Sequence, residues 1–361
     1  SRSFSITVQN DAPSNHFNTV LYTGNDGTQS ITGLNFQPDF TWIKQRSGGA
    51  SHSLQDSVRG VGQSKNIYSD NTAAEGTYGQ YGYLSAFGTN GFTVVKNSGS
   101  HTNAGSSTYV AWNFKAGGAA VANTDGDINS QVSVNNTLGF SIVKYDGAGL
   151  SGSATTVGHG LNAAPELIFV KSYETGLNAS AWFVYSSITG NAKELYLNTT
   201  SAEVSDGNRW NSTSPSSTVF TLGSSFSSYP SYYGGDTIAY CFTSKPGFSK
   251  VGSYTGNGSA SGPMVQTGFE PAFVLIKGTD AAEPWQMYDS TINTSNPRSC
   301  YLRANVSNAE YCYNTEALDF YSNGFQVISS WAGLNTNGQN YIYLAFAADG
   351  STATPSLANS F

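Results

Sequence analysis

The chain has 361 residues, a formal net charge of -7 and only 11% charged residues, whereas 38% of it is hydrophobic and 13% is aromatic. This length and aromatic content exclude an intrinsically disordered protein and allow two or three domains with substantial cores. The acidic balance and the lack of any Lys/Arg run exclude a phosphate-binding surface, so nucleic acid is not an expected partner.

The sequence shows no sign of membrane insertion. No apolar run approaches the roughly 18 residues of a membrane-spanning helix, and the polar opening Ser1–Ser3 does not resemble a signal peptide. Three cysteines are too few for a disulfide scaffold. Cys300 and Cys312 would face each other across a hairpin, so a bridge between them and a set of unpaired core thiols that includes Cys241 both stay open.

Residues 1–16 form an N-terminal extension with one predicted strand. Phe4, Ile6 and Val8 alternate with polar residues, which is typical of a half-buried strand. Such a strand adds to a sheet edge of its own chain or pairs with another subunit. We favour the first alternative because local pairing has the lower closure cost.

A turn followed by an apolar run occurs three times, at residues 33–44, 160–171 and 268–277. Each copy starts with glycine, contains a proline that makes its predecessor extended, and ends with a lysine. This pattern predicts a turn that leads into a buried strand. We expect the ammonium groups of Lys44, Lys171 and Lys277 to reach water where each strand leaves the core.

Flanking strands repeat with the same order. The apolar runs 109–114, 237–242 and 341–346 close each copy, and Phe17, Phe140 and Phe248 open them. Asn-Gly turns at 90–91 and 323–324 indicate hairpins, and no helical period is visible. The predicted fold is all-β, with three tandem antiparallel β-sandwich repeats of jelly-roll or lectin-like type. The predicted division is repeat one at 17–118, a linker at 119–137, repeat two at 138–247, and repeat three with a short tail at 248–361.

A charged motif lies in the middle of each copy. Asp-Ser-Val-Arg-Gly at 56–60 precedes Asn-Thr-Ala-Ala-Glu at 71–75, and repeat three has Asp289 and Glu310 at the matching places. Repeat two keeps Glu203 but has Ser186 instead of the aspartate. We interpret these side chains, including Asp56, Arg59 and Glu75, as turn caps and ion pairs. The alternative is a pair of carboxylates that act as the acid and base of a glycosidase.

These motifs together resemble a known family. A buried strand ending in Lys, then Asp-Ser-Val-Arg-Gly, Asn-Thr-Ala-Ala-Glu, Asn-Gly-Phe-Thr and Tyr-Val-Ala-Trp-Asn-Phe-Lys-Ala-Gly, is similar to an uncharacterised β-rich domain repeated in virion and tail proteins of marine bacteriophages, including cyanophages. Repeat one matches nearly throughout, repeat three fairly well and repeat two loosely. The resemblance implies a virion protein and assigns no activity.

Metal, cofactor and nucleophile chemistry have little support in the sequence. Asn123, Asp125, Asp127 and Asn129 alternate like calcium ligands, but the glycine and the downstream glutamate of a calcium loop are missing. Asp125 and Asp127 are therefore weak metal candidates in a segment that we interpret as a solvated linker. The four histidines are scattered, and no catalytic or phosphate-binding motif occurs. We expect no cofactor and no enzymatic activity.

The loops before the closing strands, at 97–108, 224–236 and 329–340, differ in every copy. Variable loops on a rigid scaffold are typical sites of recognition. Aromatic rings in small polar surroundings suit sugar rings and protein contacts equally. The candidate ligand or interface residues are Tyr78, Tyr81, Tyr83, Tyr229, Tyr232, Tyr233 and Trp331.

The predicted function is that of a non-enzymatic bacteriophage virion protein at the extracellular surface of the particle. Our first hypothesis is a tail or surface fibre that contacts host-surface glycans. The alternative is a capsid decoration or head-fibre protein that stabilises the shell, and a secreted glycan hydrolase ranks third. Expected partners are other virion proteins and further copies of the chain, for example in a trimer.

Overall fold

The computed structural model describes residues 11–147, 154–174, 180–224 and 235–350. In these ranges the chain is all-β, which confirms the fold class expected from the sequence. Helical segments are short: 3-10 turns at Pro13–Asn15, Gln63–Lys65 and Gly79–Tyr81, and helix α1 at Ala332–Asn335. No helix in the described ranges is long and apolar enough to cross a membrane. The predicted strand around Phe4, Ile6 and Val8 lies outside the described residues.

The first group of strands, unit 1, forms a four-stranded and a three-stranded antiparallel sheet. Their orders are β1-β7-β3-β4 and β2-β6-β5. Apolar side chains of both sheets, such as Ile43 and Phe92, meet in one cluster, so the unit has β-sandwich character. The strands are β1 (Phe17–Thr23), β2 (Thr28–Thr32), β3 (Phe40–Gln45), β4 (Ser53–Asp56), β5 (Tyr83–Gly88), β6 (Gly91–Val95) and β7 (Thr108–Phe114).

The second group, unit 2, contains the largest sheet. The strands are β8 (Val121–Asn123), β9 (Ser130–Asn135), β10 (Phe140–Asp146), β11 (Thr155–Gly158), β12 (Leu167–Ser172), β13 (Phe183–Ser186), β14 (Lys193–Tyr196), β15 (Val204–Ser205), β16 (Val219–Leu222) and β17 (Asp236–Phe242). The order β15-β14-β13-β12-β17-β10-β9-β8 faces the pair β11-β16. The interpretation of 119–137 as a linker is wrong, because β8 and β9 lie in this segment and extend the sheet beside β10.

The third group, unit 3, repeats the pattern. Its sheets have the orders β18-β26-β20-β21-β22-β23 and β19-β25-β24. The strands are β18 (Ser249–Thr255), β19 (Met264–Gln266), β20 (Pro271–Gly278), β21 (Gln286–Asp289), β22 (Cys300–Arg303), β23 (Tyr311–Cys312), β24 (Leu318–Tyr321), β25 (Gly324–Val327) and β26 (Asn340–Ala347). Ser249 lies opposite Phe346 as Phe17 lies opposite Phe114. Ser249 is therefore the equivalent of Phe17, and the predicted equivalence of Phe248 with Phe17 is wrong by one residue.

The turn glycines of the repeated motif have the expected role. Gly33, Gly160 and Gly268 have φ angles of 102°, 72° and 87°. These angles lie in the left-handed region, where a Cβ atom is unfavourable and glycine is not. The predicted turn before each buried strand is thus confirmed.

The large sheets of the three units share a second, central core. β3 and β12 are buried on both faces, because one face packs inside the unit and the other joins a cluster common to all units. Phe114, Phe242 and Phe346, at the ends of β7, β17 and β26, meet with ring centroids 5.3 to 6.3 Å apart. The three sheets therefore surround one axis.

The central core has no room for a ligand. Its void measures about 10 Å³ and is lined by apolar side chains such as Trp42, Phe169 and Leu275. A void of this size is at the lower limit for one water molecule, and a water here would lack polar partners. The central core is therefore a packed interior and not a binding cavity.

Equivalent backbone hydrogen bonds join each unit to the next and the third to the first. In each bond, the backbone amide of the glutamate from the charged motif is the donor. The acceptor is the carbonyl of the residue that follows β3, β12 or β20, the central strand of the neighbouring unit. The bonds are Glu75 N to Tyr173 O at 2.8 Å, Glu203 N to Thr279 O at 2.7 Å and Glu310 N to Arg46 O at 2.8 Å. The units thus form a closed ring within one chain.

The repeated lysines lie inside this ring, so the expectation that they reach water is wrong. Lys44, Lys171 and Lys277 are each 0% exposed. Lys171 Nζ donates to Thr72 O of unit 1 at 2.9 Å, and Lys277 Nζ donates to Thr200 O of unit 2 at the same distance. Burial lowers the pKa of Lys171 to about 7. Each of these two ammonium groups ties a central strand to the unit before it.

Indole and imidazole groups make a second cycle of contacts. Trp182 Nε1 donates to Tyr68 O, and Trp285 Nε1 donates to Tyr196 O, each at 2.8 Å. His52 takes the equivalent place in unit 1. Its Nδ1 accepts from Trp42 Nε1 at 2.8 Å, so Nε2 carries the proton and faces the Arg303 carbonyl at 3.1 Å.

This tautomer makes His52 a source of acid sensitivity. Burial lowers the pKa of His52 well below its usual value, so below pH 6.5 the unfolded chain binds a proton that the fold does not. Stability from this group is fully present at pH 7 and is lost as the pH falls below 6.5, by at most about 1.4 kcal/mol per pH unit. We expect urea titrations to show this loss in the wild type and a smaller loss in His52→Gln. An equal loss in both proteins would contradict the assignment.

The two ends of the ring differ. We call the end at which β3, β12 and β20 finish the lysine end, because Lys44, Lys171 and Lys277 lie there. The opposite end, with Phe114, Phe242 and Phe346, is the phenylalanine end. The described ends of the chain meet at the phenylalanine end, since Ser14 N donates to Asp349 Oδ1 at 2.9 Å.

Candidate functional site

Two of the variable loops before the closing strands, those of units 1 and 3, lie at the lysine end. β7 and β26 start where β3 and β20 finish, so residues 97–107 and 329–339 connect elements at this end. Most of the corresponding loop of unit 2, residues 225–234, lies outside the described residues. The candidates Tyr229, Tyr232 and Tyr233 fall in that gap.

A stacked tyrosine pair supports each of the two described loops. In unit 1, Tyr22 and Tyr109 stack at 5.0 Å, and their hydroxyls donate to Thr102 O and Ser100 O. The pair buries its rings between the sheets and uses its polar tips to bind loop backbone. The two tyrosines lie at the ends of β1 and β7, and their hydrogen bonds hold the backbone of the loop in place.

Unit 3 has the same support. Tyr254 and Tyr341 stack at 4.9 Å, and Tyr254 donates to Leu334 O at 2.8 Å. The Tyr341 hydroxyl donates to Ala332 O at 2.5 Å and accepts from Thr336 N at 2.9 Å. Both ends of helix α1 are held in this way.

Removing one hydroxyl should loosen this loop selectively. Tyr341→Phe leaves the Ala332 carbonyl and the Thr336 amide without their partner, at a cost of about 1–3 kcal/mol. We expect faster amide hydrogen exchange in residues 329–339. Tyr343→Phe is the control, because the Tyr343 hydroxyl reaches Gln266 O at 3.3 Å at the end of β19, away from this loop. Equal exchange in the two variants would argue against the support role.

The first aromatic group at the lysine end, the tyrosine cluster, consists of Tyr68, Tyr78, Tyr81 and His101. Tyr78 and Tyr81 stack at 6.0 Å and are 37% and 38% exposed. Burial lowers the pKa of His101 to about 4, so this ring is neutral at pH 7. The structure brings two of the predicted candidates together, whereas Tyr83 is half-buried in β5 opposite Val95.

The second group, the arginine platform, consists of Arg303, Tyr311, Tyr313 and Trp331. The Arg303 Cζ lies 4.2 Å from the ring centre of Tyr311 and 5.2 Å from that of Trp331. Tyr311 contacts Tyr313 at 6.2 Å, and Tyr313 is 52% exposed. Of these residues only Trp331 was a candidate from the sequence. The available signal was that Tyr313 follows Glu310 at the same interval as Tyr78 follows Glu75.

A disulfide joins the strand that carries this platform to its neighbour. Cys300 in β22 lies opposite Cys312 in β23, with Cα atoms 4.0 Å apart, and the two sulfurs are bonded. This decides between the two alternatives left open for these cysteines. Cys241 is buried as a free thiol.

The aspartates of the charged motif make turns and contacts between units. Asp56 Oδ1 accepts from the amides of Val58 and Arg59, and Oδ2 accepts from Arg59 Nε at 2.6 Å and from the Tyr240 hydroxyl at 2.8 Å. Asp289 accepts from Trp112 Nε1 of unit 1 at 3.0 Å.

The serine of unit 2 fits this pattern. Leu344 of unit 3 occupies the strand position that Trp112 occupies in unit 1 and Tyr240 in unit 2. Each of the three lies opposite the equivalent residue of the central strand of its own unit. A leucine offers no donor, so an aspartate at Ser186 would be a buried charge without this partner. Ser186 keeps the turn contact, because its hydroxyl accepts from the Ile188 amide.

Each motif glutamate pairs with a cation. Glu75 contacts Arg59 at 2.8 Å and Lys65 at 3.1 Å. Glu203 pairs with Lys193, and Glu310 binds Arg46 of unit 1 through both carboxylate oxygens.

In unit 1, the residue whose side-chain oxygen begins this segment is shifted by one position from the predicted alignment. Asp70 Oδ1 accepts from the His52 amide, as Asn198 accepts from Trp182 and Asn305 from Trp285. Asp70, and not Asn71, is therefore the equivalent of Asn198.

The structure gives the metal candidates other partners. Asp127 Oδ2 accepts from the amide and hydroxyl of Thr156, and Asp125 bonds with Asn123. In the described ranges, the one group of three potential ligands is Cys300, Glu310 and Cys312. Its two sulfurs are in the disulfide, so it does not offer a thiolate site.

The ring of three units corresponds to one family domain. A family model described as "Domain of unknown function (DUF7483)" matches residues 12–349. The chain belongs to this family. One DUF7483 domain includes all three units, since the match begins before β1 and ends after β26. No curated protein and no solved structure matches the chain.

Proposed function

We propose that the chain is a non-catalytic surface protein of a bacteriophage particle that contacts host-surface glycans with its lysine end. In this proposal the three units are tandem copies of one β-sandwich unit. The observation that carries the proposal is the difference between the ends of the ring. The described chain ends meet at the phenylalanine end. The tyrosine cluster and Trp331 lie in or against the variable loops of the lysine end.

This polarity suits a recognition protein attached at one side. We propose that the phenylalanine end, where the described chain ends meet, is the end attached to the particle. The lysine end then faces outward, with aromatic rings on loops supported by tyrosine pairs. Flat, exposed aromatic rings on a rigid scaffold bind sugars at low entropic cost.

The disulfide supports an extracellular location. Cysteine is rare in this chain, with 3 residues in 361, yet two of them are bonded across neighbouring strands. Disulfides persist on virion and cell surfaces and are rare in reducing compartments.

The motif carboxylates support a structural rather than a catalytic role. Asp56 is 0% exposed, and both of its oxygens already accept protein hydrogen bonds. Glu75 is held by two cations. A glycosidase acid and base need access to the sugar and room between them. Incubation with bacterial polysaccharides should therefore release no reducing ends. A release that disappears in Glu75→Gln would contradict the non-catalytic proposal.

The ring bears on the prediction that the chain assembles into a trimer. One chain already supplies the three-membered arrangement that a trimeric fibre builds from three subunits. A homotrimer stays a prediction, as do contacts with other virion proteins.

An array of bacterial surface polysaccharides tests the proposed function. We expect the wild type to retain at least one glycan and a variant with alanine at Tyr78, Tyr81, Tyr313 and Trp331 to lose it. The control variant carries alanine at two exposed residues away from the lysine end, Tyr321 and Ile188, and should bind like the wild type. A wild type that retains no glycan would contradict the proposal.

A further inference from the structure

We infer that the arginine platform of unit 3 is a subsite for one neutral hexopyranose ring. The inference rests on the proposed glycan contact and deepens it, because it names the subsite and the charge of the sugar. It also distinguishes the platform from the tyrosine cluster, which has no charged side chain.

The platform combines ring faces with a cation. The Arg303 guanidinium lies against Tyr311 and Trp331, and Tyr311 continues a row of rings through Tyr301 at 5.5 Å. The buried end of this row is Tyr301, and the exposed end is Tyr313. A sugar that stacks its C–H face on Trp331 brings its hydroxyls near Arg303. The exposed Tyr313 extends the row of rings beyond Tyr311.

The polar groups of the platform suit uncharged hydroxyls. Arg303 Nη2 donates to the Tyr301 hydroxyl at 3.1 Å and lies 3.6 Å from Glu316 Oε2, while Tyr301 donates to Glu316. The side chains of Arg303 and Glu316 are 20% and 16% exposed, so a ligand at the surface can reach both groups. A guanidinium donates and a carboxylate accepts, so together they match the mixed character of sugar hydroxyls.

Charge balance disfavours an acidic sugar. Glu316 offsets Arg303, and Glu310 and Glu283 add negative charge nearby, opposed by Arg46 and Lys277. The whole chain carries a net charge of -7. A uronic acid would find no uncompensated cation here and would be repelled at low ionic strength.

Two features hold the platform in place before a ligand arrives. The Cys300–Cys312 disulfide fixes β23, which carries Tyr311, to β22. Trp331 folds over Gly333, where a Cβ atom would come within 2.2 Å of the indole ring. Pre-organised side chains lose less entropy on binding.

The test is calorimetric titration with hexasaccharides of known charge. The neutral probes are maltohexaose, laminarihexaose and mannohexaose, and the acidic probes are hexagalacturonate and hexamannuronate. We expect binding of at least one neutral probe and roughly tenfold weaker binding in Trp331→Ala and in Tyr313→Ala. Trp331→Phe should retain more affinity than Trp331→Ala, and Tyr321→Ala should bind like the wild type.

Reduction of the Cys300–Cys312 disulfide gives a second test of the platform that needs no substitution. Cys241 is buried, so a mild thiol reductant acts on the Cys300–Cys312 bridge. The reduced protein should keep its near-ultraviolet dichroism, which reports the buried aromatic core, while its affinity for the neutral probe falls by roughly tenfold. Unchanged affinity after reduction would contradict pre-organisation by the bridge.

The outcomes separate this inference from the proposed function. Neutral-probe binding that survives Trp331→Ala and Tyr313→Ala but is lost in Tyr78→Ala overturns the platform and keeps the glycan contact. Preference for an acidic probe overturns the neutral assignment. If neither the hexasaccharides nor the polysaccharide array is bound by the wild type, both proposals fail.

Discussion

Phe346→Ala should destabilise the whole ring by about 3–5 kcal/mol, because the substitution removes a buried aromatic ring and leaves a cavity. Phe346 contacts Phe114 of unit 1 and Phe242 of unit 2, so the cavity opens where all three units meet. We expect a lower urea midpoint. We also expect faster amide hydrogen exchange in β7 and β17 as well as in β26, because strands that share one core open together.

The control for this substitution is Phe87→Ala. Phe87 is half-buried and packs only at the margin of the unit 1 core, so its loss should cost about 1 kcal/mol. Exchange changes confined to unit 3 in Phe346→Ala would contradict the shared core.

Asp56→Ala should cost about 3–5 kcal/mol, because it leaves the buried Arg59 guanidinium without its nearest carboxylate. The Arg59 side chain is 0% exposed, and Glu75 at 2.8 Å compensates only in part. The Tyr240 hydroxyl of unit 2 also loses its acceptor. Urea denaturation of the purified variant measures the loss.

Two variants separate the contributions of Asp56. Asp56→Asn removes the charge and keeps one side-chain oxygen, which can accept from the turn amides or from Tyr240 but not from both. Its loss should therefore fall between that of alanine and the wild type. Ser186 is the equivalent of Asp56 in unit 2, but no donor from the described part of unit 3 contacts it. Ser186→Ala should therefore lower the free energy of unfolding by no more than about 1 kcal/mol. Equal losses at Asp56 and Ser186 would contradict the pairing across units.

Local chemistry made much of the fold predictable. Gly33, Gly160 and Gly268 marked turns that need a left-handed backbone, and the Asn-Gly pairs at 90–91 and 323–324 marked the hairpins β5–β6 and β24–β25. These features depend on a few neighbouring residues, which a sequence displays directly.

The ring was not predicted, because it depends on contacts between residues far apart in the chain, such as Glu310 and Arg46. A signal was nevertheless present. The run Tyr109–Phe114 is apolar at nearly every position, and such a strand is buried on both faces. The prediction of three separate sandwiches did not use this signal, and it placed the lysine ammonium groups in water. Lys44 and its equivalents are buried because neighbouring units cover the strand ends.

The candidate site was predicted in part. Exposed tyrosines in loops identified Tyr78 and Tyr81, and an aromatic loop identified Trp331. Arg303 and Tyr311 were missed because they lie on ordinary short strands, and only the fold of unit 3 brings them beside Trp331. A row of rings that crosses several strands has no signature within any one of them.

The most direct test of the central proposal is electron cryomicroscopy of phage particles that carry this protein. The account predicts density for the three-unit ring on the outer surface, with the phenylalanine end toward the particle and the lysine end exposed. The tyrosine cluster and the arginine platform should both face solvent. Density in which the lysine end is buried against the capsid lattice would contradict the account and favour a decoration protein.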